Sequence, residues 1–261
     1  MSIKIALDAG HGLKTAGKQT PNGIKEWTLN DLVRDKVVSI LSDYDCEIVH
    51  TDNDEGNTDE SLSSRVAKYK SASVKAFVSI HHNAYTGNWN AATGIEVYTD
   101  KNPTNEDLKL ADCIYGRLVN YTGLKGRGIK RANYQVINQN TIPAVLVEGG
   151  FMDSTNDYNV ITSDEGQDAY ARAVAEGLVE FLNISKKATA PTNTFKCYKV
   201  KVTATSLNIR KGAGTNYGKM GVITDKGVYT IVAEANGKGA TKWGKLKSGV
   251  GWISLDYCKK V

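Results

Sequence analysis

The sequence lacks several features that would place it in common protein classes. Its four cysteines, Cys46, Cys113, Cys197 and Cys258, include no Cys-x-x-Cys pair. A zinc site built from cysteines is therefore not indicated, and four free thiols are expected, although Cys197 and Cys258 bracket the C-terminal segment and could meet there. No Gly-x-Ser-x-Gly motif occurs, so a serine hydrolase with a nucleophile elbow is not supported.

Long apolar runs are also missing. No stretch reaches the roughly 18 consecutive apolar residues that a membrane-spanning helix needs, so no membrane insertion is expected. The apolar stretch at the N-terminus, Ile3 to Leu7, is too short for the hydrophobic region of a signal peptide. We therefore expect synthesis in the cytoplasm without a signal peptide.

The charge is unevenly distributed along the chain. The net charge of +5 divides into about −7 over residues 1–183 and about +12 over residues 184–261. A basic segment of this kind favours a polyanionic partner, such as nucleic acid or an anionic wall polymer, unless its lysines serve solubility alone. Because the lysines are spread along the segment and no RNA-recognition motif appears, nucleic acid is the less favoured partner.

The pattern of apolar residues changes at residues 184–195, a segment rich in Thr, Ala, Lys and Pro that is typical of a linker. Before it, over residues 1–183, apolar runs of strand length alternate with amphipathic stretches. This alternation predicts an α/β domain with a mostly parallel sheet covered by helices. After it, over residues 196–261, short strand-like pieces separated by Gly-rich turns predict a small all-β barrel.

Polar residues follow three of the apolar strands in the first domain. His11 follows the first strand, His81 ends the run Phe77-Val-Ser-Ile80, and Glu148 follows Pro143-Ala-Val-Leu-Val147. Because ligands of open α/β sheets bind at the carboxyl ends of the strands, we expect these three side chains at one edge. Glu26, at the predicted start of the first helix, lies near the same edge.

Two histidines and one glutamate are a common ligand set for catalytic zinc, and a second carboxylate is then needed to move protons. His11, Glu26, His81 and Glu148 supply such a set, although a lone His beside Gly is ordinarily a turn residue and Glu26 alone would suit a helix dipole. Alternation along the strand directs His81 and His82 to opposite sides. We therefore predict His81 as the ligand and His82 as a surface or rim residue.

Four motifs in this order make residues 1–183 resemble the zinc-dependent N-acetylmuramoyl-L-alanine amidases (amidase type 3) of bacterial autolysins, sporulation lysins and phage endolysins. They are Asp8-Ala-Gly-His-Gly12, Glu26-Trp-Thr-Leu-Asn30, Ser79-Ile-His-His-Asn-Ala84 and Pro143-Ala-Val-Leu-Val-Glu-Gly-Gly-Phe151. The departures are mild: Leu13 replaces a common Gly, His82 replaces a common Ala, and an Arg that commonly follows the second strand is missing.

The resemblance implies a Zn²⁺ ion held by His11, Glu26 and His81, with Glu148 as general base or acid. The implied reaction is hydrolysis of the amide between N-acetylmuramic acid and the L-alanine of the peptidoglycan stem peptide, by zinc-activated water. Asp8 and Asn83 are expected to orient the ligand histidines through hydrogen bonds.

The C-terminal segment resembles bacterial SH3-type wall-binding domains through Leu207-Asn-Ile-Arg-Lys-Gly212 and the closing Gly251-Trp-Ile-Ser-Leu-Asp-Tyr257. The aromatic residues Tyr217, Trp243 and Tyr257 are candidates for binding wall sugar or peptide, although they would equally serve as the core of the barrel. Leu207 and Trp252 are expected in that core, and Tyr217 at a surface groove.

Taken together, these features predict a phage or prophage endolysin of a Gram-positive host that acts on the cell wall after release from the cytoplasm, or a mother-cell lysin. A zinc peptidase that cuts within the stem peptide is the alternative enzyme, because the metal ligands alone do not choose between them. A non-catalytic wall-binding protein is the alternative of another class, although it would be expected to lack one of the four site residues.

Overall fold

The computed structural model describes residues 2–138, 141–187 and 195–261. The chain divides into two compact units, Met1–Ala188 and Thr189–Val261. Most of the predicted linker at 184–195 lies outside the described residues; of its described part, Ile184 is buried in the core of the first unit. None of the helices in the described ranges is both long and apolar enough to span a membrane.

The first unit is an α/β structure built on one six-stranded sheet. Its strands are β1 (Ile3–Ala9), β2 (Cys46–His50), β3 (Ala76–Asn83), β4 (Ile95–Asp100), β5 (Gly126–Ala132) and β6 (Ala144–Phe151). Its helices are α1 (Glu26–Leu41), α2 (Leu62–Ser71), α3 (Asn105–Thr122), α4 (Tyr158–Ile161) and α5 (Asp164–Leu182).

The strand order is β2-β1-β3-β6-β4-β5. Every neighbouring pair is parallel except β4 with β6, which is antiparallel. The predicted mostly parallel sheet is thus confirmed, while β5 was not anticipated: its sequence, Gly-Arg-Gly-Ile-Lys-Arg-Ala, lacks the apolar run of a buried strand, because this strand lies at the edge of the sheet.

Helices cover both faces of this sheet, which explains why its central strands are apolar throughout. Helices α1, α3 and α5 pack with one side of the strands, where Val33, Ile114 and Val174 are fully buried. Helix α2 packs on the other side with the segment around Val136. Side chains leaving either face of the central strands therefore enter a protein interior rather than solvent.

The second unit is an antiparallel sheet with one short 3-10 helix at Leu255–Tyr257 within residues 195–261, so its predicted β character is confirmed. Its seven strands, in the order β13-β7-β10-β11-β12-β8-β9, are β7 (Tyr198–Val202), β8 (Leu207–Arg210), β9 (Lys219–Ile223), β10 (Val228–Gly237), β11 (Ala240–Leu246), β12 (Trp252–Ser254) and β13 (Cys258–Lys260). Closure into an SH3-type barrel stays a prediction. All four cysteines of the chain are free thiols, including Cys197 and Cys258.

Aromatic residues of the second unit divide between core and surface differently from the prediction. Leu207 is buried as expected, whereas Trp252 is partly exposed and lies outside the apolar core cluster. Trp243 is 2% exposed, which corrects the prediction that it binds a wall ligand: on β11 its ring faces the interior. Tyr217 and Tyr257 are about half exposed.

Candidate active site

Three predicted ligands converge at the carboxyl edge of the first sheet. Nε2 of His11 lies 3.3 Å from Oε2 of Glu26, and Nδ1 of His81 lies 3.0 Å from Oε1 of the same carboxylate. One ligand atom from each residue falls within 4.8 Å of the others, a spacing at which a single cation can contact all three. This is the only such group of three or more His, Cys, Asp or Glu residues in the described parts of the chain.

The backbone brings these residues together through a close approach at Gly10. A Cβ atom at this position would lie 2.1 Å from the His81 ring, so only glycine lets the end of β1 pass beside that imidazole. His11 then adopts a left-handed conformation with φ of 69°, which turns the chain out of the sheet. Glu26 is the first residue of α1 and is 1% exposed.

Burial and mutual contact shift the pKa values of all three groups. Burial alone would raise the pKa of Glu26, but the hydrogen bond and charge of His81 outweigh it and lower that pKa to about 2. For His81, burial lowers the pKa, yet its contact with Glu26 leaves the net shift upward. Burial lowers the pKa of His11 to about 4, so this imidazole is neutral and available as a ligand near neutral pH.

Glu148 lies beside His81 on the neighbouring strand. The two residues are Cα partners in the parallel pairing of β3 with β6, so their side chains leave the same face of the sheet. Oε2 of Glu148 is buried and has no hydrogen-bond partner within the described ranges. Burial raises the pKa of this carboxyl to about 8. A raised pKa is expected of an acid–base group, whereas a carboxylate in a structural ion pair would have a lowered one.

Asp8 is fully buried and reaches His81 through Ser79 rather than directly. Its carboxylate accepts hydrogen bonds from Ser79 Oγ at 2.6 Å and Thr51 Oγ1 at 2.8 Å, and the Ser79 hydroxyl lies 3.2 Å from His81 Nε2. We predicted a direct hydrogen bond between Asp8 and a ligand histidine; in the structure Ser79 lies between Asp8 and His81.

Arg65, on α2, is a residue of this site that the sequence reasoning missed. Its guanidinium is 2% exposed; Nη1 donates to Asp8 and to the Ala9 carbonyl, and Nη2 donates to the His11 carbonyl. It therefore neutralises Asp8 and fixes the turn that carries His11. Arg65 lies on α2, fifteen residues after the end of β2 at His50. The residues directly after β2 therefore gave no sign of it.

Asn83 does not contact either ligand histidine, which corrects its predicted role. Its amide Nδ2 donates to Glu96 at 3.1 Å, and its Oδ1 accepts from the backbone of Ala84. The buried Glu96 also accepts hydrogen bonds from Tyr98, Arg127 and Lys130. Because Glu96 pairs with Glu148 in the register of β4 with β6, this saturated carboxylate lies next to the unpaired one.

His82 is buried, 2% exposed, which corrects its prediction as a surface or rim residue. His82 leaves the opposite face of the sheet from His81, as strand alternation predicts, but α1 and α5 cover that face. There His82 Nδ1 lies 2.8 Å from Asn30 Oδ1, and the Asn30 amide donates to the Gly10 carbonyl and, at 3.4 Å, to Glu26. His82 therefore supports the ligand Glu26 through Asn30.

The site opens to a cleft of about 600 Å³. Glu148, His11 and His81 lie on its wall together with Tyr134 and Lys18. Two imidazoles and a carboxylate around one point, with a protonatable carboxyl beside them in a cleft, are the parts required for metal-assisted hydrolysis.

Known proteins with similar sequences include N-acetylmuramoyl-L-alanine amidases and a phage endolysin. Residues 5–180 match the family described as N-acetylmuramoyl-L-alanine amidase. An endolysin of Bacillus phage SPP1 is 36% identical over 195 residues, covering 72% of this chain and 69% of the endolysin. The N-acetylmuramoyl-L-alanine amidase CwlM of Bacillus licheniformis is 31% identical over 204 residues, covering 77% of this chain and 75% of that protein.

Solved structures agree in fold. An N-acetylmuramoyl-L-alanine amidase from Clostridium difficile 630 superposes with a TM-score of 0.65 at 29% identity, covering 70% of this chain and 97% of its own. The catalytic domain of the amidase CwlV from Bacillus (Paenibacillus) polymyxa var. colistinus superposes with a TM-score of 0.64 at 30% identity, covering 70% of this chain and 99% of its own.

Proposed function

Because this chain belongs to the N-acetylmuramoyl-L-alanine amidase family, we propose that it is a zinc-dependent peptidoglycan hydrolase that cleaves the amide between N-acetylmuramic acid and L-alanine. The observation that carries the proposal is the convergence of His11, Glu26 and His81 within 4.8 Å, beside the unpaired carboxyl of Glu148. The ligand set matches zinc in its chemistry, since Zn²⁺ favours imidazole nitrogen and carboxylate oxygen and keeps a position open in catalytic sites. When bound, the ion would polarise the scissile carbonyl and lower the pKa of a water molecule.

Glu148 is the residue proposed to move the proton. It takes a proton from the attacking water as the oxygen adds to the lactyl carbonyl carbon, and it delivers that proton to the nitrogen of L-alanine as the C–N bond breaks. A carboxyl whose pKa is raised by burial is suited to this work, because it can both accept and return a proton near neutral pH. Arg65, Asp8 and Ser79 hold His81 and the His11 turn in place.

The test uses purified wild type, Glu148→Gln and His11→Ala on Gram-positive cell walls, with metal removed by a chelator and zinc then added back. We expect hydrolysis only by zinc-loaded wild type, with new muramoyl ends and new N-terminal L-alanine in the product. Zinc binding measured by calorimetry should be lost in His11→Ala and retained in Glu148→Gln. Full activity of Glu148→Gln would overturn the catalytic assignment.

Product chemistry also separates the alternatives. A zinc peptidase acting within the stem peptide would release new amino ends other than L-alanine and leave the muramoyl amide intact. A non-catalytic wall-binding protein would sediment with walls without releasing either product. The amidase is favoured because the matching family and the relative CwlM of Bacillus licheniformis are both described as N-acetylmuramoyl-L-alanine amidases.

For the second unit we propose an SH3-type wall-binding role, with peptidoglycan or an anionic wall polymer as the ligand. The net charge of about +10 over residues 189–261 and the exposure of Tyr217 and Tyr257 support this. Replacing Tyr217 by Ala should weaken sedimentation with walls. If the ligand is an anionic polymer, salt screens the remaining charge contacts, so the loss in the variant should be larger at high salt. Unchanged sedimentation of Tyr217→Ala would remove that residue from the binding surface.

The biological setting proposed is that of a phage or prophage endolysin acting on a Gram-positive wall after release. The support is the similarity to an endolysin of a Bacillus phage and to amidases of Bacillus species. A mother-cell lysin remains the alternative setting, since a sporulation-specific amidase of Bacillus subtilis is 28% identical over 209 residues.

A further inference from the structure

Two aromatic side chains meet at the surface of the first unit outside the cleft. Trp89, in the loop after β3, is 45% exposed, and its ring packs edge-to-face with Tyr158 at a centroid distance of 5.0 Å. Tyr85, in the same loop, is 74% exposed. Trp89 is the most exposed of the four tryptophans of the chain, so it is not part of a hydrophobic core.

The loop that presents Trp89 is fixed at both ends by the segment that follows β6. The carboxylate of Asp153, itself fully buried, accepts backbone N–H groups from Tyr85, Thr86 and Gly87 at 2.8–3.1 Å. The backbone of Asn90 bonds that of Asp153 at 2.9 Å on the far side of Trp89. An exposed aromatic held this firmly can bind a ligand without a large ordering cost.

These aromatic residues lie on the edge of the sheet that carries the catalytic groups. Their loop leaves the strand that bears His81, and Tyr158 follows the strand that bears Glu148. Asn22, in the loop between His11 and Glu26, donates its amide to the Tyr158 hydroxyl at 2.7 Å. The aromatic pair is therefore continuous with the loops that build the candidate active site.

We propose that Trp89 and Tyr158 form a sugar-binding subsite for the glycan strand, next to the muramic acid whose amide is cleaved. Flat aromatic rings suit the apolar faces of pyranose rings, and the amide of Asn22, which bonds the Tyr158 hydroxyl, suits hydroxyl and acetamido groups. The ligand is a neutral sugar rather than an anionic polymer, because residues 1–183 carry a net charge of about −7. This inference rests on the proposed peptidoglycan substrate.

The test compares hydrolysis of two substrates by wild type and Trp89→Ala. One is a single disaccharide with its stem peptide, and the other is a soluble glycan chain of several disaccharides with the same peptide. We expect kcat/KM of Trp89→Ala to fall about tenfold on the long chain and to stay within about twofold on the single disaccharide. Tyr121→Ala is the matched control, because Tyr121 is an exposed aromatic on α3, where its hydroxyl bonds Glu176.

Equal losses on both substrates, or no loss on the long chain, would overturn the subsite. Trp89→Phe should restore most of the activity on the long chain, which a variant that merely unfolds the loop would not show. Binding of the same long glycan chain, with its stem peptides attached, to the Glu148→Gln protein, measured by calorimetry, separates the two proposals. Binding that depends on Trp89 supports the subsite even if wild type hydrolyses nothing, whereas hydrolysis indifferent to Trp89 supports the amidase alone.

Discussion

Replacing Glu148 by glutamine should remove activity and at the same time change stability with a defined pH dependence. The carboxyl is buried without a hydrogen-bond partner for Oε2, and its pKa is raised from 4.5 to about 8. In the unfolded chain the same group ionises near its ordinary value. Folding of the metal-free wild type above pH 4.5 must therefore either keep a proton on Glu148 or bury its charge, and both cost free energy.

The magnitude follows from that shift. Below pH 4.5 both states are protonated and Glu148 contributes nothing. Between pH 4.5 and about 8 wild type loses up to about 1.4 kcal/mol per pH unit relative to Glu148→Gln, which reaches roughly 3 kcal/mol at pH 7. The buried amide of the variant carries its own cost, about 1–3 kcal/mol, but that cost does not depend on pH. The slope of the difference therefore isolates the ionisation.

The assay is urea unfolding of both metal-free proteins from pH 4 to 9. Glu96→Gln is the matched control: its carboxylate is buried on the neighbouring strand, but Lys130, Tyr98 and Arg127 hold its pKa below the ordinary value against the effect of burial. That variant should be less stable than wild type at pH 7, with the deficit shrinking as the pH falls below 4.5. A stability difference between Glu148→Gln and wild type that is flat with pH, or that shifts in favour of wild type between pH 4.5 and about 8, would refute the reasoning.

Two further substitutions test the supports of the site. Asp8→Asn should lower the free energy of unfolding by about 3–5 kcal/mol in a urea titration, because it leaves the buried Arg65 guanidinium without its closest carboxylate; a loss under about 1 kcal/mol would contradict this. Burial lowers the pKa of His82 to about 4, so between pH 6.5 and 4 the unfolded chain binds a proton at His82 and the folded chain does not. Wild type therefore loses stability over this range, and His82→Leu in the metal-free protein should lessen that loss. An unaltered pH profile would show that His82 is charged in the fold. The same variant should also weaken zinc binding, since His82 holds Asn30 beside Glu26.

The sequence was sufficient to predict the positions of His11, His81 and Glu148 because each depends on one rule. Parallel strands end at a common edge, so residues that follow apolar strands meet there whatever the details of packing. Glu26 follows from the same rule, because the loop from His11 returns to the start of a helix at that edge. The strand alternation also separates His81 from His82 correctly.

The errors arise where a contact depends on an element far away in the chain. His82 was placed at the surface because alternation gives a direction but not what covers that face, and α1 with α5 cover it. Asn83 meets Glu96 instead of a histidine because β4 runs antiparallel beside β6, a pairing that no local pattern reveals. Trp243 could not be distinguished from Tyr217, since both are aromatic residues in short strands and turns.

Arg65 and Glu96 show how Glu148, the carboxyl proposed to be catalytic, differs from its neighbours. Asp8 is buried beside Arg65, and Glu96 is buried against Arg127 and Lys130, so each charge has a partner that lowers its pKa. Glu148 lies on the same sheet face between them; its Oε2 has no hydrogen-bond partner among the described residues, and burial raises its pKa although the charge of His81 acts against that rise. An unpaired carboxyl kept among paired ones is therefore the feature that a proton-transfer role explains and a structural role does not.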